Sequence, residues 1–230
     1  MSQLTQNIPA VIVEEQSFIR RVYNWMAIGL GLSAFVSFSL LSNPQLLLAY
    51  LQSPLRWVLP IGELVLIFWL FARIHTFSTG KATSVFLFYA FLNGITLTPL
   101  LLQYTRVSIF STFFVTAATF GVTSFYGYTT KKDLSSMGGL LFMGLIGIII
   151  ASLVNIFFKS PAIYWVVTYI GVGLSIGLTA YYTQQIKQMS RGIWKGHDME
   201  GKGAIIGALM LYLAFVMMFV YLLQILGNRR

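Results

Sequence analysis

The sequence predicts an all-α membrane protein, a bundle of seven transmembrane helices, and three observations carry that prediction. Of its 230 residues, 57% are hydrophobic and 9% are charged, whereas soluble domains carry about 25% charged residues. The apolar residues gather into seven runs, each close to the roughly 20 residues a helix needs to cross a hydrocarbon core about 30 Å thick. The Lys and Arg residues sit at the ends of these runs rather than within them.

The runs are read in order. The first, residues 24–41, follows a mostly polar segment, 1–22, taken as an N-terminal cytoplasmic segment ahead of one transmembrane domain, 23–230. It is too long for a signal-peptide core, and Ser42-Asn43-Pro44 after it lacks a small-x-small cleavage pattern, so it is expected to persist as a helix. The second, 56–73, contains Pro60 and Glu63. The third and fourth, 83–102 and 107–126, are parted only by Gln103 to Arg106. The fifth and sixth, 137–158 and 162–182, are parted only by Lys159-Ser160-Pro161, and such short connections predict helical hairpins. The seventh spans 203–227. Gly173 with Gly177, and Gly203 with Gly207, have the small-xxx-small spacing that lets membrane helices approach closely.

Positive charge sets the expected orientation. Ten of the Lys and Arg residues, among them Arg20, Arg73, Lys131 and Lys187, lie on the N-terminal side, against five on the other, Arg56, Arg106, Lys159, Arg229 and Arg230. The reading is a multi-pass protein of the cell inner membrane, N-terminus cytoplasmic and C-terminus external. The net charge of +9 is dispersed over these loops, with no basic patch of the kind that binds nucleic acid.

Catalytic and metal chemistry find little footing. There is no cysteine, hence no thiolate site. Gly173-Leu-Ser175-Ile-Gly177 has the G-x-S-x-G spacing, but that pattern needs a strand-to-helix turn and a histidine base, and both histidines, His75 and His197, fall in loops. His197, Asp198 and Glu200 share one loop, with no second cluster to complete a metal shell. No lysine lies in mid-span for a retinal Schiff base. The expectation is a protein that is not an enzyme, with no cofactor and no metal.

Glu63 is the ionic candidate. It is the one acidic residue inside a hydrophobic run, about 10 Å along the helix from Arg56 and about 15 Å from Arg73. Two readings of it stand: a hydrogen-bonded glutamate that joins two helices, or a cation or proton site in a cavity.

Three segments carry a family resemblance. FGVTSFYGYTTKKDLS (Phe120–Ser135) closes the fourth run; Val167–Val172 and Thr179–Lys187 lie on the sixth; Gly207–Arg230 forms the last. Together they resemble the Bax inhibitor family, also called the transmembrane Bax-inhibitor-motif family, with the likeness running from about Tyr23 to the C-terminus. The resemblance implies a seven-helix bundle with the last helix near the centre and a role as a pH-sensitive calcium leak channel. It also implies paired aspartates on spans six and seven that share a proton, and an arginine at the cytoplasmic end of span two that latches onto the first of them. Here Tyr182 and Ala214 stand at the paired-aspartate positions and Met217 replaces a usual Asn, while Arg73 lies near the latch position with Tyr182 as its candidate partner. The expected function is therefore a cation-leak or ion-homeostasis protein with its pH sensor lost. The alternative is a non-conducting modulator of a membrane-bound quality-control protease. Expected partners are the lipid bilayer, calcium or another cation, and such a protease.

Overall fold

A computed structural model of the chain describes residues 8–191 and 197–230. Among them are eight α-helices: α1 Ile8–Leu41, α2 Pro44–Gln52, α3 Leu55–Arg73, α4 Thr79–Leu101, α5 Arg106–Thr129, α6 Ser135–Phe158, α7 Pro161–Arg191 and α8 His197–Leu226. A single 3-10 turn, Ile74–Thr76, follows α3. All but α2 are long and apolar enough to span a membrane, which is the seven-span, all-α architecture expected. The closing helix is the most enclosed: 61% of its most apolar stretch is buried, against 11–39% for the other spans.

The helices overrun the apolar runs. Helix α1 has 34 residues, about 51 Å at 1.5 Å per residue, so it exceeds the hydrocarbon core and takes in most of the segment expected to precede the bundle. Residues 1–7 of that segment lie outside the described residues. The extension follows from burial: Glu15, Phe18, Val22, Met26, Gly29, Ser33 and Ser37 are all buried, and their spacing of three or four lays them on one helix face. Helix α7 likewise continues past 182 because Thr183 and Ile186 remain buried on its inner face. Between α1 and α3, Asn43 caps an additional helix, α2, by accepting from the Leu46 N–H while Pro44 occupies the first turn. Ser78 and Thr105 cap α4 and α5 in the same manner.

The chain forms two compact units, Met1–Gln103 with Met189–Tyr212, and Tyr104–Gln188 with Leu213–Arg230. In the first, α1 packs on α4 and α3 packs on α4. Backbones approach closely at Gly94, where a Cβ would stand 2.7 Å from the Ser33 carbonyl oxygen; Ser37 Oγ donates to the Gly94 carbonyl at 2.6 Å across the same seam.

The second unit holds the α6–α7 hairpin. Lys159 adopts a left-handed conformation, φ 48°, at the end of α6, its N–H bonded to the Asn155 carbonyl. Asn155 Oδ1 then accepts from the Ser160 N–H at 2.8 Å and fixes the reversal. Of the small-residue pair on α7, Gly177 makes the close contact, a Cβ there falling 2.7 Å from Leu141, whereas Gly173 has nothing within 4 Å. Helix α7 also holds the α5–α6 loop: Gln184 accepts from the Leu134 N–H and donates to the Lys132 carbonyl, both at 2.8 Å. Lys187 donates to the Tyr128 carbonyl at 2.7 Å, complementing the negative end of α5.

Candidate functional site

Helix α3 carries Glu63 inward, 6% exposed, toward α4. Both carboxylate oxygens are engaged. Oε1 accepts from Thr96 Oγ1 at 2.7 Å and Oε2 accepts from Asn93 Nδ2 at 3.1 Å. Asn93 and Thr96 are three apart on α4 and so share a face.

The chain of bonds continues through Asn93. Its Oδ1 accepts from the Tyr212 hydroxyl on α8 at 2.9 Å, and that hydroxyl meets Ser33 Oγ of α1 at 2.6 Å. A phenol has one proton. With that proton on Asn93, the single Ser33 proton is shared among the Tyr212 hydroxyl, the Ala90 carbonyl at 2.7 Å and the Gly29 carbonyl at 3.0 Å. Tyr212 to Asn93 to Glu63 is then one series of donors aimed at the carboxylate, each bond polarising the next, with Ser33 bonded at its start. The Tyr212 side chain, fully buried, is held by the edge contacts of Phe86 and Tyr89, each with ring centroids 5.8 Å away. All the residues of the network belong to the first unit.

A second set of charges lies toward the α7–α8 connection. Glu15, 6% exposed, accepts from Arg191 Nε at 2.7 Å, and Arg21 stands 4.0 Å from Glu200. The side chains of His75, His197 and Asp198 fall outside those described. Among the described residues no three His, Cys, Asp or Glu side chains gather as a metal shell would require. Ser175 is buried, and its hydroxyl donates to the Val172 carbonyl at 2.8 Å, an arrangement of helix packing rather than nucleophilic attack.

The structure brings Tyr182 and Ala214 to one place. Ala214 is buried in a cluster with Leu141, Ile148, Leu174 and Leu178, and Tyr182 packs against it. Tyr181 lies beside Tyr182, centroid to centroid 5.6 Å. Arg73 ends α3 with an exposed side chain, ten residues along the helix from Glu63, and its carbonyl accepts from Thr76 Oγ1 at 2.8 Å.

Sequence reasoning isolated Glu63 but not its partners. Asn93, Thr96, Tyr212 and Ser33 are uncharged and sit in runs whose hydropathy hides them. The available signals were an amide in mid-span at Asn93 and the Gly29–Ser33–Ser37 stripe of small residues at i, i+4 on α1. Glu15 escaped notice because it precedes the apolar run.

Seven apolar helices, with a buried carboxylate joined by hydrogen bonds to residues of three other helices within the first unit, define a multi-pass integral membrane protein with a polar core. The family described as "Inhibitor of apoptosis-promoting Bax1" matches residues 15–230. Inner membrane protein YbhL of Escherichia coli strain K12 is 46% identical over 217 residues, 94% of this chain and 93% of that protein. An uncharacterized protein of Borreliella burgdorferi is 37% identical, covering 100% of this chain and 99% of its own; another, of Deinococcus radiodurans, is also 37% identical and covers 100% and 98%. The chain belongs to the Bax inhibitor family.

Proposed function

We propose that the protein is a non-enzymatic cation-leak or ion-homeostasis protein of the cell inner membrane in which the Glu63 site provides the polar core that paired aspartates provide in relatives. One observation carries this reading. Glu63 is buried, and its network partners, Asn93, Thr96, Tyr212 and Ser33, are all neutral. A lone buried charge is costly unless something neutralises it, and among the described residues no arginine or lysine joins this network. The compensating charge is therefore a proton or a cation that comes from outside the chain. Calcium flux into proteoliposomes across a pH series tests this: Glu63→Gln should remove whatever pH response the wild type has, and the double change Tyr182→Asp with Ala214→Asp should introduce acid-gated flux. Wild-type flux that is unaltered by Glu63→Gln at every pH would refute the assignment.

The packing around Tyr182 and Ala214 favours a second reading, a non-conducting regulator of a membrane-bound quality-control protease. A Tyr ring and an Ala methyl in an apolar cluster offer no carboxylate ligand for a cation. Removing Met1–Val13, which leaves the Glu15–Arg191 pair in place, should abolish a protease phenotype without altering flux under this reading.

The orientation proposed is N-terminus inside. The absence of cysteine makes single-cysteine labelling clean. In intact spheroplasts, Ser160→Cys should react with a membrane-impermeant maleimide and Lys131→Cys should not; the reverse pattern would invert the topology.

A further inference from the structure

The second unit contains two cavities whose chemistry is layered. The outer one, about 580 Å³, is lined at its mouth by Lys159 and Arg229 and flanked by Tyr164 and Trp165. The inner one, about 390 Å³, shares Asn155, Tyr164 and Gln224 with it and is otherwise walled largely by apolar side chains such as Val167, Met217 and Val220. Both volumes fall in the range of roughly 300–1,000 Å³ typical of ligand sites. Among the described residues, no acidic side chain lines either.

The outer cations are held in place by the backbone. Lys159 is fixed by the left-handed reversal and the Asn155–Ser160 bond already described. Arg229 forms a β-bridge with Tyr104, the neighbouring Asn228 carbonyl accepts from the Thr105 N–H at 3.1 Å, and Arg229 Nη2 donates to the Tyr164 hydroxyl at 2.9 Å. Trp165 stacks on Tyr169 at 26°, and aromatic residues of this kind mark the membrane–water boundary. The positive mouth therefore lies at headgroup level. Ser152, in the wall of the inner cavity, is seven residues back along α6 from Lys159, about 10 Å deeper.

Between the two levels stand two amides. Asn155 Oδ1 is engaged by the Ser160 N–H, so Asn155 offers an occupant its N–H donors. Gln224 faces Thr168 Oγ1 at 2.8 Å, a hydroxyl whose single proton also lies against the Tyr164 carbonyl at 2.8 Å. From the surface inward the order is cations, amide donors, apolar wall. The order of groups in a glycerophospholipid is the complement: phosphate, ester carbonyls, acyl chain. We propose that this cleft is a binding site for an anionic glycerophospholipid, with the phosphate between Lys159 and Arg229, an ester carbonyl on Asn155, and the upper acyl chain in the inner cavity.

Native mass spectrometry of the full chain in detergent tests it, with phosphatidylglycerol, phosphatidylcholine of the same chains, and chain-free glycerophosphoglycerol as probes. Phosphatidylglycerol should bind in preference to phosphatidylcholine. That preference should fall about fivefold for each charge removed in Lys159→Gln and Arg229→Gln, the effect of one Lys or Arg near an anionic surface, and should survive in Lys159→Arg with Arg229→Lys. Val220→Trp, which fills the inner cavity, should reduce occupancy by both lipids. Equal binding of the two lipids, or a preference unchanged in the double Gln variant, overturns the proposal. Binding of glycerophosphoglycerol as tight as that of the intact lipid also overturns it, since the site would then recognise a free phosphodiester. A thermal melt of the Gln variant matching the wild type separates loss of the site from loss of the fold.

Discussion

The Tyr212 hydroxyl donates a 2.9 Å hydrogen bond to Oδ1 of Asn93, and through that amide the closing helix is joined to Glu63. The bond leaves Asn93 with its nitrogen on the carboxylate side. Removing the hydroxyl in Tyr212→Phe strands a buried acceptor on Asn93, at a cost of about 1–3 kcal/mol, while Ser33 keeps its bond to the Ala90 carbonyl. A thermal-shift measurement in detergent should show a lower Tm for Tyr212→Phe, whereas Tyr221→Phe, outside this network, should change it less.

Substitutions of Glu63 should separate shape from hydrogen bonding. Glu63→Gln retains a carbonyl oxygen to accept from Thr96 or Asn93 and should fold close to normally. Glu63→Leu leaves the Asn93 and Thr96 donors facing hydrocarbon and should be less stable than Glu63→Gln by about 1–3 kcal/mol. Chemical denaturation in mixed micelles would show the ordering; equal stability of the two variants would contradict it.

Gly94 and Gly62 provide a matched pair on neighbouring helices. A Cβ at Gly94 would approach the Ser33 carbonyl to 2.7 Å, while one at Gly62 meets nothing within 4 Å. Gly94→Ala should therefore cost about 1–3 kcal/mol through overpacking, and Gly62→Ala should be neutral or gain up to about 1 kcal/mol from helix propensity. Paired melting curves of the two variants suffice.

How much of this was legible in the sequence divides by physical cause. The seven spans follow from hydropathy, because a bilayer admits little besides long apolar helices. Glu63 could be found because a lone charge contrasts with its surroundings. Its partners could not, because Ser33, Asn93, Thr96 and Tyr212 become a network with Glu63 only when four helices bring them within hydrogen-bond reach, and no spacing along one helix encodes that. The start of α1 was missed for a related reason: the helix persists to Ile8 on the strength of its packed face, with Glu15 tied to Arg191 across 176 residues.

That ion pair makes a prediction of its own. Arg191→Ala removes the 2.7 Å contact and should speed amide hydrogen exchange in the first turns of α1 while leaving exchange around Met26 unchanged. Uniform acceleration along the helix would show that the pair supports the whole unit rather than this end.

In the α5–α6 loop, Asp133 should titrate below the ordinary aspartate value of 3.8, because the Ser135 N–H and hydroxyl donate to its carboxylate. A depressed folded-state pKa means that this stabilising contribution is present above the unfolded pKa and is lost as pH falls through the folded value, below about 4. Carbon-13 NMR of labelled Asp133 reads the pKa directly, and Ser135→Pro, which deletes both donors, should return it toward 3.8.

Apolar helices in a lipid solvent can turn about their axes or slide by a residue with little penalty, since one greasy face is much like another. The Ser33–Tyr212–Asn93–Glu63 series removes that freedom for four helices together, because a rotation of any one breaks a bond the hydrocarbon cannot replace. The network thus acts as an index that specifies rotational register during assembly, a task any substitute for it would also have to perform.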